Sequence, residues 1–378
     1  MPTRAHELYD LGQSVWLDFI RRGHLHSGEF ESLIQVGVVG VTSNPTIFQQ
    51  AIADSGDYDD ALLKLDSGLD GPAQFEALAV EDIQRACDLL RATYDRSAGR
   101  DGRVSIEVSP RLAHDTKGSI EEGRRLHRSV ARPNVMVKVP ATEAGLPAIT
   151  TLTAEGVSVN VTLIFSLRRY GQVMDAWMKG LEQRVAAGQP PGGQESVASF
   201  FVSRVDSKVD KAIDERLATL PPGSTERAEL EGLKGRAAVA NARLAYALFR
   251  ETLETPRWKA LAAKGAAPQR PLWASTSTKN PAYRDVLYVE ELIGEDTVDT
   301  MPLATLAAFN DHGKVEVRIT RDLDAARALF RRLPELGVPI DTLIDQLEPE
   351  GVAAFAKSYD TLLQALETKR RELVARGS

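Results

Sequence analysis

The chain has 378 residues, of which 43% are hydrophobic, 26% charged and 6% aromatic, and its formal net charge at pH 7 is -7. This composition excludes a disordered or low-complexity protein, and the mildly acidic balance argues against the broad basic surface of a nucleic-acid-binding protein. It leaves room for a local basic pocket that binds a phosphate group.

Eight short β-rich runs alternate with longer helical patterns along the chain. The predicted strands are residues 14–19, 36–42, 103–108, 134–139, 156–162, 198–203, 271–275 and 297–301. Strands separated by helices are typical of a parallel sheet, and a count of eight favours a closed barrel over an open sheet. The sequence therefore predicts the α/β class and a (β/α)8 TIM barrel.

The chain is longer than a barrel requires, since a bare barrel of this kind needs roughly 250 residues. Helical patterns fill the excess in three places. We predict a single barrel domain over residues 1–378, with helical insertions at about 49–102 and 205–270 and a C-terminal helical extension at about 314–378. Capping residues beside prolines follow several strands, so helices begin at the strand ends where barrel active sites lie.

Polar side chains recur in phase on one face of otherwise apolar strands. Successive strand residues point to opposite faces, so each of these polar residues opposes a β-branched or apolar face. They are Asp18, Glu107, Lys138, Asn160 and Thr162. In a barrel they converge inward near the C-terminal ends of the strands. Two alternatives remain open: an antiparallel sheet with one solvated face, and a buried ion pair with a purely structural role.

A lysine between apolar walls and two carboxylates suits Schiff-base chemistry. Burial favours the neutral amine of a lysine, which can attack a carbonyl group. The protonated imine then withdraws electrons, so an adjacent carbon–carbon bond can break or form. Asp18 and Glu107 supply the acid/base groups that this chemistry needs. Asn44, Asn160 and Thr162 can bind substrate hydroxyls or hold a water molecule.

Six segments in series resemble the transaldolase family, in its longer bacterial form. They are GVTSNPTIF (40–48), VSIEVSPRLAHDT (104–116), NVMVKVPAT (134–142), GVSVNVTLIFS (156–166), FFVSRVD (200–206) and LWASTSTKNPAY (272–283). The resemblance covers nearly the whole chain. It implies a (β/α)8 transferase of the non-oxidative pentose phosphate pathway that needs neither cofactor nor metal. Such enzymes move a dihydroxyacetone unit from sedoheptulose 7-phosphate or fructose 6-phosphate to glyceraldehyde 3-phosphate or erythrose 4-phosphate.

The resemblance also implies roles for individual residues. Lys138 forms the Schiff base, Asp18 is the acid/base of carbon–carbon cleavage, and Glu107 works on imine formation and hydrolysis through a water that Thr162 positions. The residues expected at or near the dihydroxyacetone unit are Thr42, Asn44, Asn160 and Ser199. The residues expected at the substrate phosphate are Arg204, Ser275 and Lys279.

The phosphate site departs from the pattern of compact family members. Those often carry an arginine two residues after the strand-seven serine, where this chain has Ser277. Lys279 can replace the missing charge. The alternative for Lys279 is an exposed position at the start of a helix.

Two other functions remain open at this point. One is a Schiff-base aldolase that releases its fragment instead of transferring it, and the other is a non-catalytic barrel that binds sugar phosphates. The expected partners are phosphorylated sugars, with no nucleic acid and no membrane, in a monomer or homodimer. The single cysteine, Cys87, and the polar N-terminal sequence predict a cytoplasmic protein.

Overall fold

Eight short strands form a closed barrel in which each strand pairs in parallel with the next one in sequence, and the last pairs with the first. They are β1 Gln13–Leu17, β2 Gly40–Val41, β3 Arg103–Glu107, β4 Val135–Pro140, β5 Val159–Ile164, β6 Ser196–Phe201, β7 Gln269–Ala274 and β8 Thr297–Met301. The structure is a computed structural model that describes residues 2–53, 55–66 and 68–377, without the side chain of residue 376. The predicted TIM barrel is confirmed, and the antiparallel alternative is wrong.

Nineteen helices surround the barrel within the described part of the chain. The first ten are α1 Arg4–Asp10, α2 Arg22–Ser27, α3 Glu29–Gln35, α4 Pro45–Ala53, α5 Asp59–Lys64, α6 Gly71–Leu89, α7 Arg91–Arg96, α8 Thr116–Val130, α9 Gly145–Ala154 and α10 Leu167–Ala186. The others are α11 Ser203–Leu217, α12 Thr225–Leu233, α13 Ala237–Leu253, α14 Pro256–Ala262, α15 Leu287–Glu291, α16 Leu303–His312, α17 Leu323–Glu335, α18 Ile340–Asp345 and α19 Leu347–Gly377. A 3-10 turn, Pro110–Leu112, follows β3. In these described ranges no helix is long and apolar enough to cross a membrane.

The predicted strands 36–42 and 156–162 begin well before the observed ones, because a glycine follows the preceding helix in each case, whereas the other predicted strands differ by at most two residues at either end. Residues 36–42 were predicted as one strand, but Gly37 has a φ of +104° just after α3, and β2 is only Gly40–Val41. Likewise Gly156, with a φ of +87°, follows α9, so β5 begins at Val159 instead of residue 156. Left-handed glycines are common where helices end, which places both residues outside the strands.

The additional helices lie between β2 and β3, between β6 and β7, and after β8. The last helix, α19, packs against α4, α5 and α6, and it also contacts β5. Gly351 lets it approach closely, because a Cβ there would lie 3.0 Å from Leu163 Cδ2. The single-domain assignment over residues 1–378 stays a prediction; residues 1, 54, 67 and 378 of its ranges lie outside the described residues.

The N-terminal end of the barrel is filled by buried charges. Arg270 donates to Ser14 Oγ at 2.9 Å and contacts Asp101 Oδ1 at 3.3 Å, and Arg103 donates to Ser158 Oγ at 3.0 Å. All three charged side chains are buried. Because these groups occupy the bottom of the barrel, a substrate can enter only from the opposite end.

Candidate active site

A cavity of about 320 Å³ opens at the C-terminal ends of the barrel strands. Nine of the eleven predicted site residues line it: Asp18, Thr42, Asn44, Lys138, Thr162, Ser199, Arg204, Ser275 and Lys279. The other two lie directly behind its wall, where Glu107 contacts Lys138 and Asn160 contacts Ser199. The structure therefore brings all eleven residues together at one end of the barrel.

Lys138 lies inside the barrel near the end of β4, and its side chain is only 5% exposed. Its Nζ donates to Glu107 Oε2 and to the Ser43 carbonyl oxygen, both at 3.1 Å. The pairing of β3 with β4 sets Glu107 directly beside Lys138. The ring of Phe355 lies 5.6 Å from the same nitrogen and covers it from the side of α19. The amine thus faces one carboxylate, one carbonyl and an aromatic wall.

Asp18 follows β1 immediately and continues its pairing with β8 through a bond from its backbone N–H to the Met301 carbonyl. Its Oδ1 accepts a hydrogen bond of 2.9 Å from the Thr42 hydroxyl, which lies 2.7 Å from the Thr300 hydroxyl. Burial raises the pKa of Asp18, while the charge of Lys138 and the Thr42 hydrogen bond oppose that rise. The threonines therefore fix the orientation of a carboxyl group that can hold or release a proton.

Glu107 is the second buried carboxyl group of the site. Burial raises the pKa of Glu107, the adjacent Lys138 lowers it, and the charge of Asp18 raises it further. A second cavity, of about 70 Å³, lies on the far side of Glu107 and is also lined by Ser43, Glu122 and Tyr359. This volume accommodates about two water molecules. Glu107 can thus exchange protons with Lys138 on one side and with water on the other.

The polar floor of the cavity is held by a hydrogen-bond chain across three strands. Asn160 donates to Ser105 Oγ at 2.9 Å, and its Oδ1 accepts from the Ser199 hydroxyl at 2.7 Å. The Thr162 hydroxyl is buried and has no hydrogen-bond partner among the described residues. It lies just before an irregularity in β5, where Leu163 adopts a φ of +62°. These groups present hydroxyl and amide functions to the cavity without adding charge.

Asn44 joins the site to the start of α4. Its Oδ1 accepts the backbone N–H of Ile47 at 3.0 Å and so caps the first turn of the helix. No partner for its amide NH2 group is found in the described parts of the chain. That NH2 group remains available to a substrate hydroxyl.

Two basic side chains, Arg204 and Lys279, line the same cavity as Lys138. The Arg204 guanidinium stacks 5.4 Å from the Phe201 ring and 6.0 Å from the Phe355 ring, with no carboxylate partner within the described ranges. Burial among these rings lowers its pKa. Lys279 lines the same cavity and donates to the Ser277 hydroxyl at 2.7 Å. An arginine without a carboxylate can take a phosphate in its place.

Ser275 connects these basic groups to the barrel. It follows β7 with a φ of +58°, a conformation that is uncommon for a residue other than glycine. Its carbonyl accepts the backbone N–H of Ser203 at 3.1 Å, and the two hydroxyls lie 2.9 Å apart. Ser203 immediately precedes Arg204, so these bonds hold the two sides of the phosphate region in contact.

Several lining residues are not predicted from the sequence, among them Thr300 and Phe355, which contact predicted site residues directly. Thr300 lies in phase with Val298 near the end of β8, so the alternation that identified the other inward polar residues selects Asp299 in this strand and passes over Thr300. Phe355 has no strand signal, because it reaches the cavity from α19. Its position depends on how α19 crosses the barrel mouth, which no local sequence pattern encodes.

Comparisons with known proteins give a consistent result. The family model described as transaldolase/fructose-6-phosphate aldolase matches residues 15–366. A transaldolase from a Parafrankia species is 52% identical over 98% of both chains, and transaldolase 1 of Streptomyces coelicolor is 52% identical over 95% of this chain and 93% of its own. Transaldolase 2 of a Nostoc species is 45% identical over 96% of each chain.

Proposed function

The chain belongs to the transaldolase/fructose-6-phosphate aldolase family, and from this premise we infer that it is a transaldolase that works through Lys138. Its substrates are phosphorylated sugars, and it moves a dihydroxyacetone unit from a ketose phosphate to an aldose phosphate. The observation that carries the assignment of Lys138 is its buried Nζ, 3.1 Å from Glu107 Oε2 at the open end of the barrel. A binding protein needs no lysine beside two carboxyl groups at the substrate end of the barrel, whereas Schiff-base chemistry requires an amine and acid/base groups together.

The first half of the reaction forms and uses an imine. The neutral Lys138 amine attacks the C2 carbonyl of the ketose phosphate, and Glu107, through a water held by Thr162, delivers the proton with which the carbinolamine loses water. Asp18 then takes the proton of the C4 hydroxyl as the C3–C4 bond breaks. The bond electrons move into the iminium group, the aldose phosphate leaves, and a dihydroxyacetone enamine stays on Lys138.

The second half reverses these steps with a new acceptor. The enamine carbon attacks the aldehyde of the second aldose phosphate, and Asp18 returns its proton to the new hydroxyl. Water then adds to the imine with the help of Glu107, and the product ketose phosphate leaves. The hydroxyls of the dihydroxyacetone unit meet Asn44, Asn160 and Ser199, whose side chains already form part of the fixed hydrogen-bond network.

Transfer of the dihydroxyacetone unit, in preference to its release, is tested by comparing the enzyme with and without an acceptor. With fructose 6-phosphate and erythrose 4-phosphate we expect sedoheptulose 7-phosphate to form at a rate at least about a hundredfold above the release of free dihydroxyacetone from fructose 6-phosphate alone. The reason is that Phe355 and the surrounding walls limit the access of bulk water to the imine. Equal rates of transfer and release would identify an aldolase, which is the alternative within the same family.

Arg204 is proposed to hold the substrate phosphate, and its replacement tests this role. We expect Arg204→Ala to raise the KM for fructose 6-phosphate about tenfold to a hundredfold, since hydrogen bonds to a charged group are worth roughly 1.5–3 kcal/mol. Lys279→Ala is expected to raise the same KM about threefold, because Lys279 is exposed. Steady-state kinetics measure both effects. Arg168→Ala, which removes an exposed arginine outside the cavity, is the matched control, and an unchanged KM in Arg204→Ala removes Arg204 from the site.

A cytoplasmic location and a monomeric or homodimeric state remain proposals for this enzyme. The first is supported by the single buried cysteine, Cys87, which suits a reducing compartment. Fractionation of the producing cells and light scattering of the purified protein measure the two properties directly.

A further inference from the structure

The residues proposed for the substrate phosphate come from two separate parts of the chain. Arg204 belongs to α11, whereas Ser275, Ser277 and Lys279 belong to the segment 275–286 between β7 and α15, here called the phosphate loop. An anion held between them requires a fixed distance between helix and loop. At the barrel wall the Ser203 and Ser275 contacts set this distance. The outer half of the phosphate loop is held on one side by Arg284, which pairs with Glu290 at 2.9 Å, and by Asp285, which lies 2.9 Å from His312 Nε2. Neither of these contacts reaches α11.

The far end of the phosphate loop is tied to α11 by one side-chain hydrogen bond. The Tyr283 hydroxyl donates to Asp210 Oδ2 at 2.7 Å. Asp210 lies six residues after Arg204 on the same helix, roughly 9 Å further along its axis. The Asp210 side chain is buried, and burial together with Asp210 raises the pKa of Tyr283, so the phenol keeps the proton that it donates.

The surroundings of this bond are built to receive a tyrosine. The second oxygen of Asp210 accepts the backbone N–H of Gly235 at 2.9 Å, which fixes the carboxylate from behind. Gly235 has a φ of +69°, and a Cβ at this position would lie 2.7 Å from Tyr283 Cζ. A residue with a side chain would therefore displace the ring. The absence of a side chain at Gly235 therefore leaves the space in which the Tyr283 ring reaches Asp210.

Hydrogen bonds within the phosphate loop connect Tyr283 to the end of the loop that lines the cavity. The Thr278 hydroxyl donates to the Arg284 carbonyl at 2.9 Å, and the Tyr283 backbone N–H donates to the Asn280 carbonyl at 3.0 Å. These bonds enclose Lys279 between the two ends of a closed turn. Because Lys279 and Tyr283 belong to the same closed turn, a shift of Tyr283 is expected to move Lys279 as well.

We propose that Tyr283 and Asp210 are positioning residues that latch the phosphate loop onto the Arg204 helix and thereby set the width of the phosphate site. The proposal rests on the proposed function, since it concerns the phosphate of the same substrates. Neither residue touches the substrate. Their effect on catalysis is exerted through the distance between Arg204 and Lys279.

The test is Tyr283→Phe, which removes the phenol oxygen and keeps the ring. We expect the KM for fructose 6-phosphate and the inhibition constant of inorganic phosphate each to rise about fivefold to tenfold, with kcat changed less than about twofold. The kcat/KM for unphosphorylated fructose is expected to stay the same. Asp210→Asn retains an acceptor oxygen and is expected to give a smaller rise than Tyr283→Phe.

Tyr288→Phe provides a matched control. Tyr288 donates to Asp206 Oδ2 at 2.8 Å on the same helix, but it lies in α15, beyond the phosphate loop. We expect this variant to lower the melting temperature without raising the inhibition constant of phosphate. If the inhibition constant of phosphate rises equally in Tyr283→Phe and Tyr288→Phe, both tyrosines merely stabilise α11, and the proposal is overturned. An unchanged inhibition constant in Tyr283→Phe would overturn it as well.

A measurement independent of turnover separates this proposal from the proposed function. The rise in melting temperature produced by inorganic phosphate is expected to be smaller in Tyr283→Phe than in the wild type. If the wild type forms no sedoheptulose 7-phosphate, the proposed function fails, whatever this variant shows. If the wild type is active and the two proteins respond equally to phosphate, only the latch fails.

Discussion

Replacement of Lys138 by alanine is expected to lower kcat for dihydroxyacetone transfer by at least about a thousandfold, because it removes the amine that forms the imine between Asp18 and Glu107. Treatment of the wild type with fructose 6-phosphate and borohydride should leave a stable adduct on the peptide that contains Lys138. The variant should give no adduct. Peptide mass mapping after proteolysis measures the adduct, and an assay coupled to sedoheptulose 7-phosphate measures the turnover.

The removal of Lys138 also leaves Glu107 without its buried partner, so loss of activity alone does not prove the role of the amine. Lys138→Met retains most of the apolar volume of the side chain and should fold, since the raised pKa of Glu107 lets that group become neutral. Lys117→Ala, at an exposed lysine on α8, is the control for losing a lysine elsewhere. An adduct on a different lysine peptide of the wild type would contradict the assignment.

Asp18→Asn is expected to lower kcat about a hundredfold to ten-thousandfold while the borohydride adduct still forms. The asparagine keeps the hydrogen bond from Thr42 but cannot take the proton of the C4 hydroxyl, so the imine forms and the carbon–carbon bond stays intact. The adduct should therefore carry the whole ketose phosphate instead of a three-carbon fragment. Its mass distinguishes the two species.

Glu107→Gln is the matched control, because it changes the other buried carboxyl group of the site. We expect it to slow the formation of the adduct, whereas Asp18→Asn should leave that rate nearly unchanged. A failure of Asp18→Asn to form an adduct would move Asp18 from carbon–carbon cleavage to imine formation. Glu107 would then be the candidate for the acid/base group of carbon–carbon cleavage.

The pH dependence gives a further check on Asp18 and Glu107. Burial raises the pKa of both groups, so each takes up a proton at a higher pH than an exposed carboxyl group, whose pKa is about 4. Both act as bases in part of the cycle, and activity must fall as they become protonated. In a plot of kcat/KM against pH, the fall in activity on the acidic side should consequently occur at a higher pH than the pKa of an exposed carboxyl group.

Much of the site could be predicted from the sequence because parallel strands impose a simple geometry. Alternation along 134–139 and 103–108 sets Lys138 and Glu107 on the inner face, and the barrel then has only one register that brings them side by side. The same alternation places Asp18, Asn160 and Thr162 on the inner face. Arg204 and Ser275 required the family resemblance, since Arg204 lies at the start of α11 and a serine that ends a predicted strand carries no signal for a phosphate site.

Other parts could not be predicted because they depend on contacts between distant segments. Arg103 begins β3 and Arg270 is the second residue of β7. Nothing local indicates that Arg103 meets Ser158, or that Arg270 meets Asp101 and Ser14, inside the barrel. The bond between Tyr283 and Asp210 joins a loop to a helix 73 residues earlier. Helix periodicity predicts that α11 has a buried face, but not which loop covers it.

The route of α19 has a consequence for the integrity of the cavity. Phe355 belongs to the cavity wall that also contains Asp18, and its ring lies 5.6 Å from the Lys138 amine, so the pocket is complete only when α19 is docked. The reaction chamber of the barrel therefore depends on a helix that lies outside the eight strands, and a change that displaces α19 would open the cavity on the side of Lys138.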